Sequence, residues 1–187
     1  MRRLRTRLSA LSLLTVTAGL GGGAPGSAQA AESCAVHWGS LPKGGSASSA
    51  APVSQVRGGE HTCFDRLVID VRGRIADAYE VRYVDAVDGE QPGSPVAMRG
   101  GAFLQVLVRT GTADHGAGGA TYEPAEPAEL VDVRGWRTLR QVRLADSTHG
   151  QVRIGVGVRA RLPFRVFVLP GADGVSQRLV VHVAHRW

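Results

Sequence analysis

The sequence predicts an all-β protein, specifically an antiparallel β-sandwich of about seven to nine strands, with a partly open β-barrel as the alternative. From residue 64 onward, short segments alternate apolar and polar side chains with a period of two. This alternation is typical of strands that bury one face. Turn-forming residues, mainly glycine, separate the segments, and no apolar pattern with a helical period is sustained over three turns.

The strand candidates follow one another along the chain. The clearest alternation occurs in six segments: 66–72, 79–84, 104–109, 152–159, 164–169 and 179–184. Weaker candidates are 95–98, 130–133 and 138–145. In the clear segments the apolar positions are expected to face the core, and the intervening positions are expected to face outward.

The N-terminus has the three parts of a secretory signal peptide over residues 1–30. A start with four arginines precedes an apolar run at 8–20, and small residues end at Ala28-Gln29-Ala30. The run is too short to span a bilayer comfortably, so no stable membrane span is expected after cleavage. We therefore predict a secreted, extracellular protein, either free or associated with the cell wall.

The two cysteines, Cys34 and Cys63, are predicted to form a disulfide, because an even pair normally oxidises outside the cell. The closed loop of about 30 residues contributes roughly 3–4 kcal/mol in the chain-entropy model. It would hold Trp38 near the domain. The serine- and glycine-rich stretch 40–55 is interpreted as a loop. The chain is thus divided into a signal peptide at 1–30, a disulfide-tethered extension at 31–57 and a β-sandwich domain at 58–187.

The charge balance argues against nucleic acid as a partner. The whole chain has 22 basic and 16 acidic residues, a net charge of +6. Removal of residues 1–30 leaves 18 basic residues against the same 16 acidic ones, a net charge of +2. No basic run survives this cleavage, so the electrostatic signature of a nucleic-acid-binding protein is missing.

Several segments carry a family resemblance. GGEHTCFDRLVIDVRG (58–73) resembles the entry motif of the AMIN-like domain of secreted actinobacterial proteins and lipoproteins. Later segments are similar to the same family in the same order: YEVRYVDAV (79–87), PVAMRGGAFLQVLV (95–108), GGATY (118–122), GVGVRARLPFRVFVL (155–169) and RLVVHVAHRW (178–187). The leading CAVHWGSLPK (34–43) resembles an extension found in such proteins.

The resemblance implies a β-sandwich that localises proteins to the cell envelope, in some cases by contacting peptidoglycan. It implies no enzymatic activity. We therefore expect a non-enzymatic module that binds a cell-wall glycan or an envelope protein, with no cofactor. His182 is a departure, since the resemblance leads us to expect an acidic residue there more often. That departure weakens the case for cation binding at this position.

The candidate binding residues are outward arginines and nearby tyrosines. Arginine forks bind carboxylates of cell-wall peptides bidentately, and aromatic rings offer flat faces to sugars. The candidates are Arg66, Arg82, Tyr83, Tyr122 and Arg165. An alternative interpretation makes the arginines the ordinary wet face of a sandwich, partly paired with aspartates. In that interpretation Tyr83 belongs to the core, with its hydroxyl at the edge.

Two further hypotheses remain open. A small secreted hydrolase could use His61, Asp65 and His115 as base and orienting groups. However, the sequence has no Gly-x-Ser-x-Gly nucleophile motif. No designed metal site is expected, because His182 and His185 lie three apart and would point to opposite faces of a strand. The other hypothesis is a protein-interaction domain that recognises its partner through an edge strand.

Overall fold

A computed structural model of the chain describes residues 34–91, 93–110 and 122–187. Nine strands in two antiparallel sheets occur in these ranges, which confirms the predicted β-sandwich. The strands are β1 (Lys43–Gly44), β2 (Val53–Glu60), β3 (Phe64–Val71), β4 (Tyr79–Val84), β5 (Ala102–Arg109), β6 (Leu139–Asp146), β7 (Gln151–Val158), β8 (Phe164–Pro170) and β9 (Gln177–Ala184).

The two sheets differ in size and order. The five-stranded sheet has the order β1-β4-β5-β7-β6, and the four-stranded sheet has the order β2-β3-β9-β8. Over the described residues each sheet ends in two edge strands, so the barrel alternative is not the observed fold.

The period-two alternation decides which face of each strand enters the core. In β3, Leu67 and Ile69 are buried among the core side chains, and Phe164 of β8 joins them. Ile154 of β7 and Leu104 of β5 are buried in the same core. Burial of each such side chain stabilises the fold by roughly 1.5–3 kcal/mol. The same alternation places the even-numbered residues of β3 and the odd-numbered residues of β8 on the outer face of the four-stranded sheet.

The last strand occupies an interior place in the four-stranded sheet. β9 pairs with β3 on one side and with β8 on the other, both antiparallel. A residue of β9 therefore lies between a residue of β3, which is far earlier in the chain, and a residue of β8, the strand just before it. This topology creates the candidate site described below.

The interpretation of 40–55 as a loop is wrong at both ends. β1 pairs with β4, and Gly44 fits there because it has a positive φ of 124°. A Cβ at that position would lie 2.1 Å from the carbonyl oxygen of Tyr79. β2 begins at Val53, five residues before the predicted domain start at 58. Its two buried valines, Val53 and Val56, are separated by a register shift that hides the alternation.

The weaker strand candidates have different outcomes. Residues 138–145 correspond to β6. Residues 95–98 contribute an isolated bridge between Asp88 and Pro95. Residues 130–133 form no strand, although Leu130 donates a backbone hydrogen bond to Val142.

The predicted disulfide is confirmed: Cys34 and Cys63 are bonded. The predicted signal peptide at 1–30 lies outside the described residues. Over the described ranges the structure contains no helix that could span a membrane.

Candidate binding face of the four-stranded sheet

Two of the predicted arginines meet on one row of the four-stranded sheet. In the β3–β9 pair, Arg66 lies directly opposite His182, and in the β8–β9 pair Arg165 lies opposite the same histidine. All three residues occupy outward positions. Side chains directly opposite each other in an antiparallel pair are close neighbours, so the register forces these three groups into contact.

His182 receives an arginine at each ring nitrogen. The Nε of Arg66 lies 2.8 Å from Nε2 of His182, and the Nε of Arg165 lies 3.1 Å from Nδ1. The imidazole is only 1 % exposed. Burial, the largest cause, and the positive charges of Arg165 and Arg66 together lower the pKa of His182 to about 3. At neutral pH the histidine is therefore uncharged, and the row carries two positive charges.

Aromatic rings surround this row. The ring of Phe64 stacks on His182 with centroids 4.0 Å apart, and His61 stacks on Phe64 at 4.7 Å. Phe167 meets His182 edge-on at 5.1 Å. These rings exclude water from the imidazole, which is the physical reason that its charged form is disfavoured.

The guanidinium group of Arg165 lies over Trp38, 4.5 Å from the ring centroid. Trp38 belongs to the segment before β1, and the Cys34–Cys63 disulfide joins that segment to the residue just before β3. A backbone hydrogen bond from Phe164 to the carbonyl of Gly39 fixes the segment beside β8. The disulfide therefore has a local role, since it holds one aromatic side of the site.

We name this surface the arginine–aromatic face. It consists of Trp38, Phe64, Arg66, Arg165, Phe167 and His182. Arg165 is exposed and Arg66 is half-buried, so both guanidinium groups reach solvent.

Neither arginine of this face has an acidic partner in the part of the chain that the structure describes. The ion pairs found there involve other arginines, for example Arg57 with Asp70 at 2.8 Å. The terminal nitrogens of Arg66 and Arg165 likewise form no hydrogen bond to a described residue. Two unpaired guanidinium forks next to aromatic rings can bind an anionic group.

An open groove of about 610 Å³ lies elsewhere on the surface. Unlike the arginines of the arginine–aromatic face, its arginines have acidic partners among the described residues. Both of its arginines pair with carboxylates: Arg99 lies 2.7 Å from Glu129, and Arg134 lies 2.6 Å from Asp132. Hydrogen bonds from Arg134 lower the pKa of Asp132 to about 2. Because these charges neutralise one another, the groove offers less to a charged ligand than the arginine–aromatic face does.

The other predicted binding residues lie away from this face. Arg82 is on β4 in the five-stranded sheet and pairs with Glu80 at 3.2 Å. The hydroxyl of Tyr83 donates to the carbonyl of Leu162 and accepts from its N–H. Burial raises the pKa of Tyr83, as expected for a residue packed against the core. Tyr122 also packs against the core, and burial raises its pKa. The five candidates therefore do not form one site.

The proposed hydrolase residues are not paired with each other in the described part of the chain. Asp65 is fully buried and accepts hydrogen bonds from the backbone of Thr138 and Leu139. Its other oxygen contacts Nε2 of His185 at 2.9 Å. His115 lies outside the described residues. Asp65 thus links β3 to β6 and to the C-terminus, which is a structural role.

One group of potential metal ligands involves the same carboxylate. Ligand atoms of Glu60, Asp65 and His185 lie within 4.8 Å of one another. However, Glu60 already accepts the backbone N–H of Arg137, and both oxygens of Asp65 have protein donors. The two carboxylates therefore already have partners within the protein.

Sequence reasoning missed three members of the site in this role: Phe64, Phe167 and His182. All three occupy outward positions of their strands. For Phe64 and Phe167, the signal available in the sequence was an apolar ring at an outward position of a strand. The partnership itself could not be found that way, because it depends on the pairing of β9 with the distant strand β3 as well as with the preceding strand β8.

The fold and this face define a β-sandwich module with a cationic, aromatic surface on one sheet. A family model for the AMIN-like domain matches residues 51–185, and the chain belongs to this family. The match begins two residues before β2, so it includes all of the four-stranded sheet. No curated protein matches the chain. Membership of the family favours a non-enzymatic cell-envelope module.

Proposed function

We propose that this protein is a secreted, non-enzymatic module that binds peptidoglycan or another cell-wall polymer through the arginine–aromatic face. The observation that carries this proposal is the pair of guanidinium groups of Arg66 and Arg165, which flank one histidine and have no acidic partner among the described residues. Family membership supports the envelope location. The disulfide supports an oxidising compartment, where such bonds persist.

The chemistry of the face suits a cell-wall polymer. Such polymers combine sugar rings with acidic groups, and the face combines aromatic rings with arginines. Charge-assisted hydrogen bonds from arginine to an anion are about twice as strong as neutral ones. The rings of Trp38 and Phe167 exclude water from one side of Arg165, which strengthens an ionic contact there.

Co-sedimentation with insoluble peptidoglycan tests the proposal. We expect binding at both about 50 and about 300 mM salt, because a specific contact survives the screening that removes a diffuse charge attraction. The double variant Arg66→Ala/Arg165→Ala is expected to lose most of the sedimentation, with an unchanged thermal midpoint.

The matched control is Arg82→Ala/Arg134→Ala. It also removes two positive charges, from arginines outside the arginine–aromatic face. It is expected to sediment like the parent. If the control loses binding and the Arg66/Arg165 variant keeps it, the site has been placed on the wrong sheet. No sedimentation of the parent at either salt concentration would reject the polymer as ligand and direct the search to an envelope protein.

A further inference from the structure

His182 cannot accept a hydrogen bond from both of the arginines that contact it. A neutral imidazole has one N–H and one free lone pair, and an arginine side chain has donors only. The ring nitrogens lie 2.8 Å and 3.1 Å from the two Nε atoms, so both positions require an acceptor. Only one of the two nitrogens can be that acceptor. At the other position an N–H group faces another N–H group.

The distances indicate which arginine is left without an acceptor. The contact of Arg66 with Nε2 is the shorter one, which favours a tautomer with its proton on Nδ1. Arg165 then faces the N–H of His182. Its remaining described neighbours are the rings of Trp38, Phe64 and Phe167, which attract its charge but accept no ordinary hydrogen bond.

The charges of the row are also uncompensated. The imidazole between Arg66 and Arg165 is neutral, and no described carboxylate forms an ion pair with either guanidinium. Two positive groups held on either side of one uncharged ring repel each other. A bound anion would remove this repulsion, and a bound cation would increase it.

We propose that this row is a receptor for one oxyanion, a carboxylate or phosphate group of the ligand, which accepts hydrogen bonds from Arg66 and Arg165 together. An oxyanion supplies what the row lacks: acceptor atoms and a negative charge, in a shape that matches the arginine fork. Arg165 gains the larger share of new hydrogen bonds, because His182 leaves it without an acceptor. This inference rests on the proposed function for the source of the anion, a cell-wall polymer.

The test is a titration of the full chain with sodium acetate and with inorganic phosphate, against sodium chloride at matched ionic strength. Nuclear magnetic resonance follows the Nε–H signals of the arginines and the indole N–H of Trp38, which the variant Trp38→Phe identifies. Saturable shifts are expected with an oxyanion and not with chloride. A stronger response to acetate identifies carboxylates of wall peptides as the source. A stronger response to phosphate identifies phosphate-bearing wall polymers.

The variants locate the effect. Arg165→Ala is expected to weaken oxyanion binding about tenfold or more, the effect of losing a charge-assisted hydrogen bond. Arg165→Lys keeps the charge but lacks the fork, so an intermediate loss is expected. Arg82→Ala is the control and should leave the titration unchanged. The inference is overturned if neither oxyanion gives a saturable response beyond that of chloride. It is also overturned if the response survives in Arg66→Ala/Arg165→Ala, a variant whose folding is checked by circular dichroism.

The sedimentation assay separates this inference from the proposed function. If the chain sediments with peptidoglycan but does not respond to either oxyanion, the receptor fails and the proposed function stands. If the chain binds the oxyanion but does not sediment, the proposed function fails and the receptor stands.

Discussion

Acid is expected to destabilise this protein through His182. The pKa of this residue is about 3 in the folded chain, against an ordinary value of 6.5. Between pH 6.5 and pH 3 the imidazole of His182 is protonated in the unfolded chain and unprotonated in the folded chain. The free energy of unfolding therefore falls as the pH falls from 6.5 toward 3 and is unaffected by this group above that window.

The size of the effect follows from linkage. One proton contributes a slope of up to about 1.4 kcal/mol per pH unit, which amounts to roughly 4–5 kcal/mol over the full window. This is a large part of the stability of a typical domain, which is about 5–15 kcal/mol. The full effect requires that the imidazole stays buried beneath Phe64, Phe167 and the two arginines.

Urea denaturation followed by circular dichroism at several pH values from about 7 to about 4 measures this slope. The variant His182→Phe cannot titrate and keeps a ring that can stack on Phe64, so its curve is expected to be flatter over this range. His37→Gln is the control, because it replaces an exposed histidine outside the arginine–aromatic face. Equal slopes for His182→Phe and the parent would refute the reasoning, since they would show that the histidine is not held neutral.

Three further predictions concern stability. Asp65→Ala is expected to lower the free energy of unfolding by about 3–5 kcal/mol, because it leaves two buried backbone N–H groups and one half-buried histidine without their partner. Asp70→Ala on the same strand removes only a surface ion pair and should cost about 1 kcal/mol or less in the same urea titration. Reduction of the Cys34–Cys63 disulfide is expected to cost about 3–4 kcal/mol, measured as a lower thermal midpoint; an unchanged midpoint would contradict the loop-closure argument. Gly157→Ala should destabilise by about 1–3 kcal/mol, because its Cβ would lie 1.8 Å from the carbonyl oxygen of Arg99, and a parent-like thermal midpoint would show that this segment moves freely.

The strands could be predicted from the sequence wherever apolar residues alternate without interruption. β3, with Leu67 and Ile69 facing the core, is the clearest case. β2 escaped prediction, because glycine and serine occupy three of its eight positions and a register shift follows Val53. Alternation is a local signal, so it fails where side chains are small or where the strand is irregular.

The candidate site could be predicted only in part. The outward direction of Arg66 and Arg165 follows from the parity of their strands. Their convergence on His182 does not, because it requires β9 to lie beside β3, and Arg66 is 116 residues from His182 in sequence. The order of the strands in the sheet decides which strands are neighbours, and this order cannot be read from the composition of the chain. For the same reason Arg82 resembled Arg66 in the sequence, although the two residues belong to different sheets.

The parity of β3, β8 and β9 separates two tasks within the same strands. Residues at one parity build the interior, and residues at the other parity build the arginine–aromatic face. A substitution at Arg66 or Arg165 therefore changes what the surface offers a ligand and leaves the packing between the sheets intact. The side chains of the four-stranded sheet that contact a ligand can therefore change while the side chains that form the core stay the same. The sheet is also a practical scaffold, because new specificities can be selected at these outward positions without redesign of the interior.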